Sequence, residues 1–198
     1  MLRHEPDTRV IDPASLAFDI DGVVADTMRL FLDIARAEYD ITHISYGDIT
    51  HYMLEECLDM EAGVIGEIID KLLDGSRDDG LMPLQGAPEV LAKLGKSFGP
   101  LCFVTARPTP DPIHQWILKT LPMASGGVDI TATGSFEAKA DVLRERGRRY
   151  FVEDRLETCF LLEEAGITPI LFKQPWNRKA HPFIEVESWR ELEAKIAF

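Results

Sequence analysis

The sequence predicts an α/β fold in which a parallel β-sheet is covered by helices on both faces and a small helical module is inserted after the first strand. Three observations support this prediction. Short apolar runs followed by turn or polar residues recur along the chain, helix-length segments separate the later runs, and one connection is much longer than the others. Strands that alternate with helices form a parallel sheet with helices on both of its faces.

Short, strongly apolar runs bounded by turn residues are interpreted as buried strands. They are residues 16–18, 101–104, 128–130, 150–152 and 170–172. Between the later strands, the sequence predicts helices over residues 111–121, 136–146 and 156–165. Asp111 can cap the first of these helices, Pro112 fits its first turn, and Gly166 closes the last one.

The long connection between the first two strands, about residues 26–99, is expected to hold the helical module. Apolar residues recur every three to four positions in segments 27–39, 48–58 and 61–73. A helix over residues 86–96 then returns the chain to the sheet. The expected organisation is therefore a core domain of residues 14–25 and 84–198, a helical cap of residues 26–83, and an N-terminal extension of residues 1–13.

Composition excludes several classes of partner. The 198 residues carry a formal net charge of -13 at pH 7, whereas nucleic acid polymers and anionic membranes are bound by clustered Lys and Arg. No run is long enough to span a membrane, and residues 1–13 lack the apolar stretch of a signal peptide. The widely spaced Cys57, Cys102 and Cys159 indicate reduced thiols in a cytoplasmic protein.

Two carboxylates, Asp19 and Asp21, follow the first strand one residue apart. In an open parallel sheet, ligands bind beyond the carboxyl ends of the strands, so this is a candidate site. Asp19 can attack phosphorus and form an aspartyl-phosphate, while Asp21 can protonate the leaving oxygen and then activate water. The alternative is an ordinary turn at Asp21-Gly22.

The second long strand ends in Thr105, Ala106 and Arg107. The Thr105 hydroxyl and the amide of Ala106 can hold phosphate oxygens, and Arg107 can bind phosphate through two N–H groups. Thr105 is also an ordinary strand residue, and a surface salt bridge is the alternative for Arg107.

Lys139 lies early in the helix that follows the third strand, with Ser135 as a candidate cap. A cation at this end opposes the helix dipole, so a bound phosphate and the carboxylate of Asp19 are expected to favour it. The alternative is a solvated helix lysine.

Glu153 and Asp154 end a further buried strand. Mg²⁺ prefers oxygen ligands, which Asp19, the backbone carbonyl of Asp21 and Asp154 can supply. The competing interpretation is that Asp154 caps the next helix together with Glu157.

This ordered set of residues at successive strand ends resembles the haloacid dehalogenase superfamily, from about Ser15 onward. The resemblance implies a three-layer, Rossmann-type fold with a helical cap, and Mg²⁺ as the cofactor. It implies these roles: Asp19 as nucleophile, Asp21 as acid and base, Thr105 and Lys139 as stabilisers of phosphate, Asp154 as metal ligand, and Glu153 as a ligand through water or behind the ligands. The second carboxylate, Asp21, favours phosphoryl transfer over dehalogenation.

Two segments resemble the 5′(3′)-deoxyribonucleotidases: residues 19–26, and residues 174–178 with Trp189 further on. We interpret Trp176 and Trp189 as anchors of the C-terminal segment on the core. In the cap, Tyr46, His51 and Tyr52 are candidates for substrate contact, although at least one aromatic ring is expected to pack inside it.

The expected function is Mg²⁺-dependent hydrolysis of a small phosphorylated metabolite, with a nucleoside monophosphate as one candidate substrate. A sugar phosphatase, a phosphomutase and a non-catalytic ligand-binding protein on the same scaffold are the alternatives. The sequence leaves open whether the chain forms a homodimer.

Overall fold

The computed structural model describes residues 10–121 and 127–198. Within these residues, a six-stranded sheet has the order β3-β2-β1-β4-β5-β6, and all paired strands run parallel. The strands are β1 (Leu16–Phe18), β2 (Leu101–Thr105), β3 (Val128–Ala132), β4 (Tyr150–Glu153), β5 (Thr168–Phe172) and β6 (Ile184–Val186). Residues 1–9 of the predicted N-terminal extension lie outside the described residues.

The helices cover both faces of the sheet. They are α1 (Thr27–Tyr39), α2 (Ala62–Leu73), α3 (Ala87–Phe98), α4 (Asp111–Thr120), α5 (Lys139–Glu145), α6 (Leu156–Glu164) and α7 (Trp189–Lys195). On one face, Ala17, Cys102 and Phe151 pack with α5 and α6. On the other face, Phe18 and Phe103 pack with α3, α4 and α7. The predicted three-layer α/β fold is confirmed.

No helix in residues 10–121 or 127–198 is long and apolar enough to cross a membrane.

The inserted segment, residues 26–83, differs from the prediction in its middle. The predicted helix over residues 48–58 is wrong: this stretch contains only short 3-10 turns at Tyr46–Asp48 and Leu54–Glu56. Ser45 and Asp48 form a reciprocal capping box that closes the first turn. Ile49, Leu54 and Leu58 are buried although this stretch forms no α-helix. Their spacing therefore resembled that of a helical face without belonging to one.

The two ends of the inserted segment lie side by side. The Asp26 amide donates to the Met82 carbonyl at 2.9 Å, and the Leu84 amide donates to the Val24 carbonyl at 2.7 Å. The chain therefore leaves the sheet after β1 and returns before α3 at nearly the same place. The division into core and cap itself stays a prediction.

Other differences from the prediction are local. Helix α4 is preceded by Pro110, and Asp111 is its first residue rather than its cap. Helix α5 begins at Lys139, three residues later than predicted, because Ser135 accepts the Ala138 amide in a preceding turn. The sequence analysis missed β6 and α7, which have only 3 and 7 residues.

Trp189 anchors the C-terminal segment on the core, as the sequence indicated, and it is the first residue of α7. Its ring is fully buried and stacks on Phe18 with centroids 5.5 Å apart, and its Nε1 donates to the Val23 carbonyl at 2.8 Å. Because a large buried ring and a hydrogen bond are removed together, we expect Trp189→Ala to lower the free energy of unfolding by about 3–5 kcal/mol. Urea unfolding followed by circular dichroism measures the loss. The exposed Leu118→Ala should change it by less than about 0.5 kcal/mol, and equal losses would contradict the anchoring role.

Candidate active site

The charged residues meet beyond the carboxyl ends of the strands, where the strand order reverses between β1 and β4. Asp19 directly follows β1, Thr105 ends β2 and Glu153 ends β4, with Asp154 next. Lys139, the first residue of α5, reaches the same place. The reversal of strand order is where open α/β sheets bind ligands, because the connecting chains diverge and leave a crevice.

Lys139 links two of these carboxylates. Its Nζ lies 3.1 Å from Asp19 Oδ1 and 2.8 Å from Glu153 Oε2, and its side chain is 1% exposed. Burial opposes the ammonium charge, but Asp19 and Glu153 outweigh burial and hold the pKa of Lys139 above its ordinary value. The alternative of a solvated helix lysine is therefore wrong.

Asp19 itself is almost fully buried. Burial raises the pKa of Asp19 well above its ordinary value, the Lys139 ammonium opposes that rise, and the neighbouring Glu153 and Asp21 add to it. A cation placed beside Asp19 would favour its charged form, which is the form able to act as a nucleophile.

The predicted helix cap at Asp154 is wrong. Arg155, not Asp154, occupies the position before α6. The backbone amides of Asp154 and Arg155 donate to Glu153 Oε1, at 3.1 and 3.0 Å. Asp154 Oδ2 accepts a hydrogen bond from Trp176 at 3.0 Å, and its buried Oδ1 has no hydrogen-bond partner among the described residues. Burial and the adjacent Glu153 raise the pKa of Asp154 well above its ordinary value.

This donor set fits a divalent cation. Asp19, Glu153 and Asp154 each present an oxygen within 4.8 Å of the others. The ammonium of Lys139 contacts two of these three carboxylates, Asp19 and Glu153. Buried carboxylates in excess of neighbouring cations are costly unless they are protonated or bind a metal. The unpartnered oxygen of Asp154 supplies a free ligand of the type that Mg²⁺ prefers.

Asp21 is held by two side chains. Arg107 Nε and Nη2 donate to its two carboxylate oxygens at 2.9 and 2.8 Å, and the Thr27 hydroxyl donates to Oδ1 at 2.6 Å. Burial opposes the charge of Asp21, but Arg107 and Thr27 together hold its pKa below the ordinary value.

Arg107 is not the surface residue that the alternative interpretation required, since it is 3% exposed. Its Nη1 donates to the Leu72 carbonyl at the end of α2, 2.8 Å away. The guanidinium therefore connects the core with the inserted segment. The Nε and Nη2 groups of Arg107 are engaged by Asp21. Contact between Arg107 and substrate phosphate stays a prediction.

A cavity of about 340 Å³ opens above these residues. Asp19, Thr105, Ala106, Lys139 and Asp154 form its charged and polar end. The other lining residues come mainly from the inserted segment and are largely apolar; they include Met28, Ile49, Tyr52, Leu54, Ile69 and, from the core, Phe136. The cavity therefore combines a site for an anion with a lining for an apolar group.

The predicted contact residues of the inserted segment separate into two groups. His51 and Tyr52 line the cavity, and the Tyr52 ring meets Phe136 edge-on with centroids 5.4 Å apart. Burial and the nearby carboxylates raise the pKa of Tyr52 well above its ordinary value, so the phenol stays neutral. Tyr46 instead donates to Gln174 Oε1 at 3.0 Å, outside the cavity lining.

Trp176 contributes to the site in a way that the sequence analysis missed. It was interpreted as a simple anchor, yet it lines the cavity and donates to Asp154. The signal that could have indicated this is its place in the short turn after β5 (Pro175–Asn177), since other strands of the sheet are also followed by site residues.

Comparison with known proteins agrees with this geometry. The family model for "5′ nucleotidase, deoxy (Pyrimidine), cytosolic type C protein" matches residues 13–197. The curated proteins that were searched include no match.

Several solved structures share the fold at low sequence identity. A HAD-superfamily hydrolase, subfamily IA, variant 1, from Geobacter sulfurreducens PCA is 19% identical, with 92% of this chain and 97% of that chain covered and a TM-score of 0.56. A HAD family hydrolase from Deinococcus radiodurans R1, with bound phosphate and sodium, is 15% identical, with 90% and 93% covered and a TM-score of 0.56. A β-phosphoglucomutase from Clostridium difficile is 16% identical, with 90% and 92% covered and a TM-score of 0.52.

The fold, the family match and the residues at the strand ends define a phosphatase of the haloacid dehalogenase superfamily, as the sequence resemblance implied. Within that superfamily, the chain belongs to the family of the 5′ nucleotidase, deoxy (Pyrimidine), cytosolic type C protein, whose model spans nearly the whole chain.

We expect Lys139 to contribute strongly to the free energy of unfolding of the protein when no metal is bound. Lys139→Met keeps most of the side-chain volume but leaves Asp19 and Glu153 without their buried cation. We expect the free energy of unfolding to fall by about 3–5 kcal/mol in the presence of chelator, as for other broken buried ion pairs. Urea unfolding at neutral pH measures this difference.

The matched control is Lys119→Met. Lys119 pairs with Asp79 at 3.0 Å, but both side chains are largely exposed, so its loss should cost less than about 1 kcal/mol. A similar cost for the two substitutions would show that the buried pairs of Lys139 contribute no more than a surface pair.

Proposed function

We propose that the protein is a Mg²⁺-dependent phosphomonoester hydrolase that acts through an aspartyl-phosphate on Asp19, with a nucleoside monophosphate as its substrate. The observation that carries this proposal is the arrangement of the cavity. Asp19, Lys139 and Asp154 line it together with residues that are largely apolar. Such a cavity suits a phosphate joined to an uncharged, flat group.

Asp19 is assigned the role of nucleophile. One of its carboxylate oxygens attacks phosphorus, the bond from phosphorus to the leaving oxygen breaks, and an aspartyl-phosphate forms. Attack of water on phosphorus then releases inorganic phosphate and regenerates the carboxylate. Lys139, 3.1 Å from Asp19 Oδ1, is placed to balance the negative charge that develops on the transferred group.

Asp21 is assigned both proton transfers. The pair with Arg107 holds its pKa below the ordinary value, which opposes donation of a proton to the leaving oxygen in the first step. In the second step, the same carboxylate accepts a proton from the attacking water. The acid role therefore requires the Asp21 carboxylate to turn away from Arg107 toward the substrate.

Mg²⁺ would be held by Asp19 and Asp154, together with the backbone carbonyl of Asp21. When bound, the ion supplies positive charge that reduces repulsion between the phosphate and Asp19. Both oxygens of Glu153 are already engaged, with Lys139 and with two amides, so we assign Glu153 to holding Lys139 rather than to direct metal binding. The Thr105 hydroxyl and the Ala106 amide are proposed to hold phosphate oxygens.

The apolar lining supports a nucleoside as the leaving group. A sugar phosphate would bring several hydroxyl groups against Ile49, Leu54 and Ile69, where the loss of hydrogen bonds to water would be costly. A nucleobase offers a flat face that can pack against Phe136 and Tyr52. The family description, which names a deoxypyrimidine nucleotidase, supports the same class.

Residues 26–83 are proposed to act as the cap over this cavity, because His51, Tyr52 and Leu72 from this segment line it. A lid of this kind excludes water and contributes specificity. We also propose a cytoplasmic location, as the sequence suggested. The matching family is described as cytosolic, and Cys57, Cys102 and Cys159 are free thiols, which supports this location.

The covalent mechanism is tested by Asp19→Asn. Wild-type protein should release inorganic phosphate from nucleoside monophosphates with Mg²⁺ and should lose this activity with chelator. Asp19→Asn removes the nucleophile and should reduce release by at least about 10³-fold. The matched control Asp33→Asn alters an exposed carboxylate outside the cavity and should leave the rate unchanged.

The substrates tested in this assay are ribose and deoxyribose nucleotides, glucose phosphates and short alkyl phosphates. Undiminished release by Asp19→Asn would contradict the covalent mechanism. An isomerised sugar phosphate without free phosphate would indicate a mutase, and binding of a phosphate ester without turnover would indicate a ligand-binding protein.

The substrate class is tested by Phe136→Leu. This change keeps an apolar side chain but removes the ring that is proposed to pack against the base. We expect KM for a nucleoside monophosphate to rise about tenfold, because aromatic stacking on a base contributes about 1–3 kcal/mol. KM for a short alkyl phosphate should change little. Phe160→Leu, on an exposed ring outside the cavity, is the control. Equal effects on both substrates would argue against a base at Phe136.

A further inference from the structure

We propose that Trp176 is a positioning residue that fixes the carboxylate of Asp154 for metal binding, an inference that rests on the proposed Mg²⁺-dependent function. Its Nε1 donates to Asp154 Oδ2 at 3.0 Å, and the ring is 8% exposed. The other oxygen, Oδ1, is buried and has no hydrogen-bond partner among the described residues. One oxygen is therefore restrained while the other stays available to a cation.

The backbone of Asp154 is held by the same turn. Asn177 Nδ2 donates to the Asp154 carbonyl at 2.7 Å and to the Phe172 carbonyl at 2.9 Å. Asn177 Oδ1 accepts the Gln174 amide at 3.0 Å, which closes the turn on itself. The turn formed by residues 174–177 thus restrains both the main chain and the side chain of Asp154.

The Asp154 carboxylate packs closely against the backbone of Gly22. A Cβ atom at Gly22 would lie 2.2 Å from Asp154 Oδ2 and 3.2 Å from Trp176 Cζ2, so only glycine fits between them. Gly22 also adopts a φ of 71°, which glycine tolerates best. Gln174 Nε2 donates to the Gly22 carbonyl at 2.6 Å. The turn after Asp21, the indole and the Asp154 carboxylate therefore pack as one unit.

This unit also contacts the inserted segment. The rings of Tyr46 and Trp176 have centroids 6.0 Å apart, and the Tyr46 hydroxyl donates to Gln174 Oε1 at 3.0 Å. Trp176 lines the substrate cavity as well. The residue that restrains the proposed metal ligand is thus in contact with the segment that covers the substrate.

A purely structural role for Trp176 makes a different prediction. If the ring serves only as packing, then a phenyl ring should replace it with little effect on metal binding. If the N–H group positions Asp154, its loss should weaken metal binding even when the fold is intact. Partners of this kind, which orient a metal ligand, typically contribute 10- to 100-fold in metal affinity.

The experiment compares Trp176→Phe with wild-type protein, with Mn²⁺ alone as the probe. Free Mn²⁺ is measured by electron paramagnetic resonance during titration, without substrate. We expect the Kd of Trp176→Phe for Mn²⁺ to rise about 10- to 100-fold. In phosphate-release assays, the concentration of Mg²⁺ needed for half-maximal rate should rise by a similar factor, with kcat largely recovered at saturating Mg²⁺.

Trp116→Phe is the matched control. Trp116 is also buried and donates its Nε1 to a backbone carbonyl, that of Leu81, at 2.9 Å, but it lies outside the cavity lining. Its substitution should leave the Kd for Mn²⁺ unchanged.

The outcomes distinguish this inference from the function on which it rests. Equal Mn²⁺ affinity in Trp176→Phe and wild type would overturn the positioning role while leaving the phosphatase proposal intact. Weakening of the same size in Trp116→Phe would also overturn it, because the effect would then reflect general destabilisation. If wild-type protein binds no Mn²⁺, both the positioning role and the metal site are wrong.

Discussion

The burial of one ammonium group between carboxylates determines how this site is built. Lys139 lies between Asp19 and Glu153 with almost no exposure to solvent, so its charge depends on those partners. In turn, this cation lowers the cost of burying Asp19 and Glu153 close to each other. A parallel sheet brings such residues together because all of its strands end at one edge. The remaining features of the site, from Arg107 to Trp176, hold acidic groups in place around this centre.

Acidic residues in this site have two distinct environments. Asp21 is neutralised by Arg107 and has a lowered pKa, whereas burial and neighbouring charges raise the pKa of Asp19 and Asp154. Under the proposed function these shifts are the reverse of what a nucleophile and an acid need, so Asp19 requires a further cation beside it and Asp21 must turn away from Arg107. The overall charge of -13 therefore says little about the site, where each acid responds to its immediate neighbours.

The sequence predicted the fold and the positions of the charged residues because both follow from local pattern. Polar residues at the carboxyl ends of short apolar strands indicated Asp19, Thr105 and Asp154, and the helix after the third strand indicated Lys139. The partner of Arg107 was not predictable in this way, because Asp21 lies 86 positions away and the pair depends on tertiary packing. Apolar spacing misled the analysis at residues 48–58, since irregular turns can also bury every fourth or fifth side chain.

The closed base of the inserted segment has a consequence for how such proteins can diverge. The Asp26 and Leu84 amides join the two ends of the segment to each other beside β1, so the chain between them forms a loop whose ends are already fixed. Lengthening a closed loop adds only a small entropic cost, about 0.6 kcal/mol for each doubling of its length. Parts of this segment that do not contact the core can therefore change in length and sequence through evolution, whereas Thr27 and Leu72, which contact Asp21 and Arg107, are constrained. Under the proposed function, much of the apolar lining for the leaving group can thus vary separately from Asp19, Lys139 and Asp154, which belong to the core.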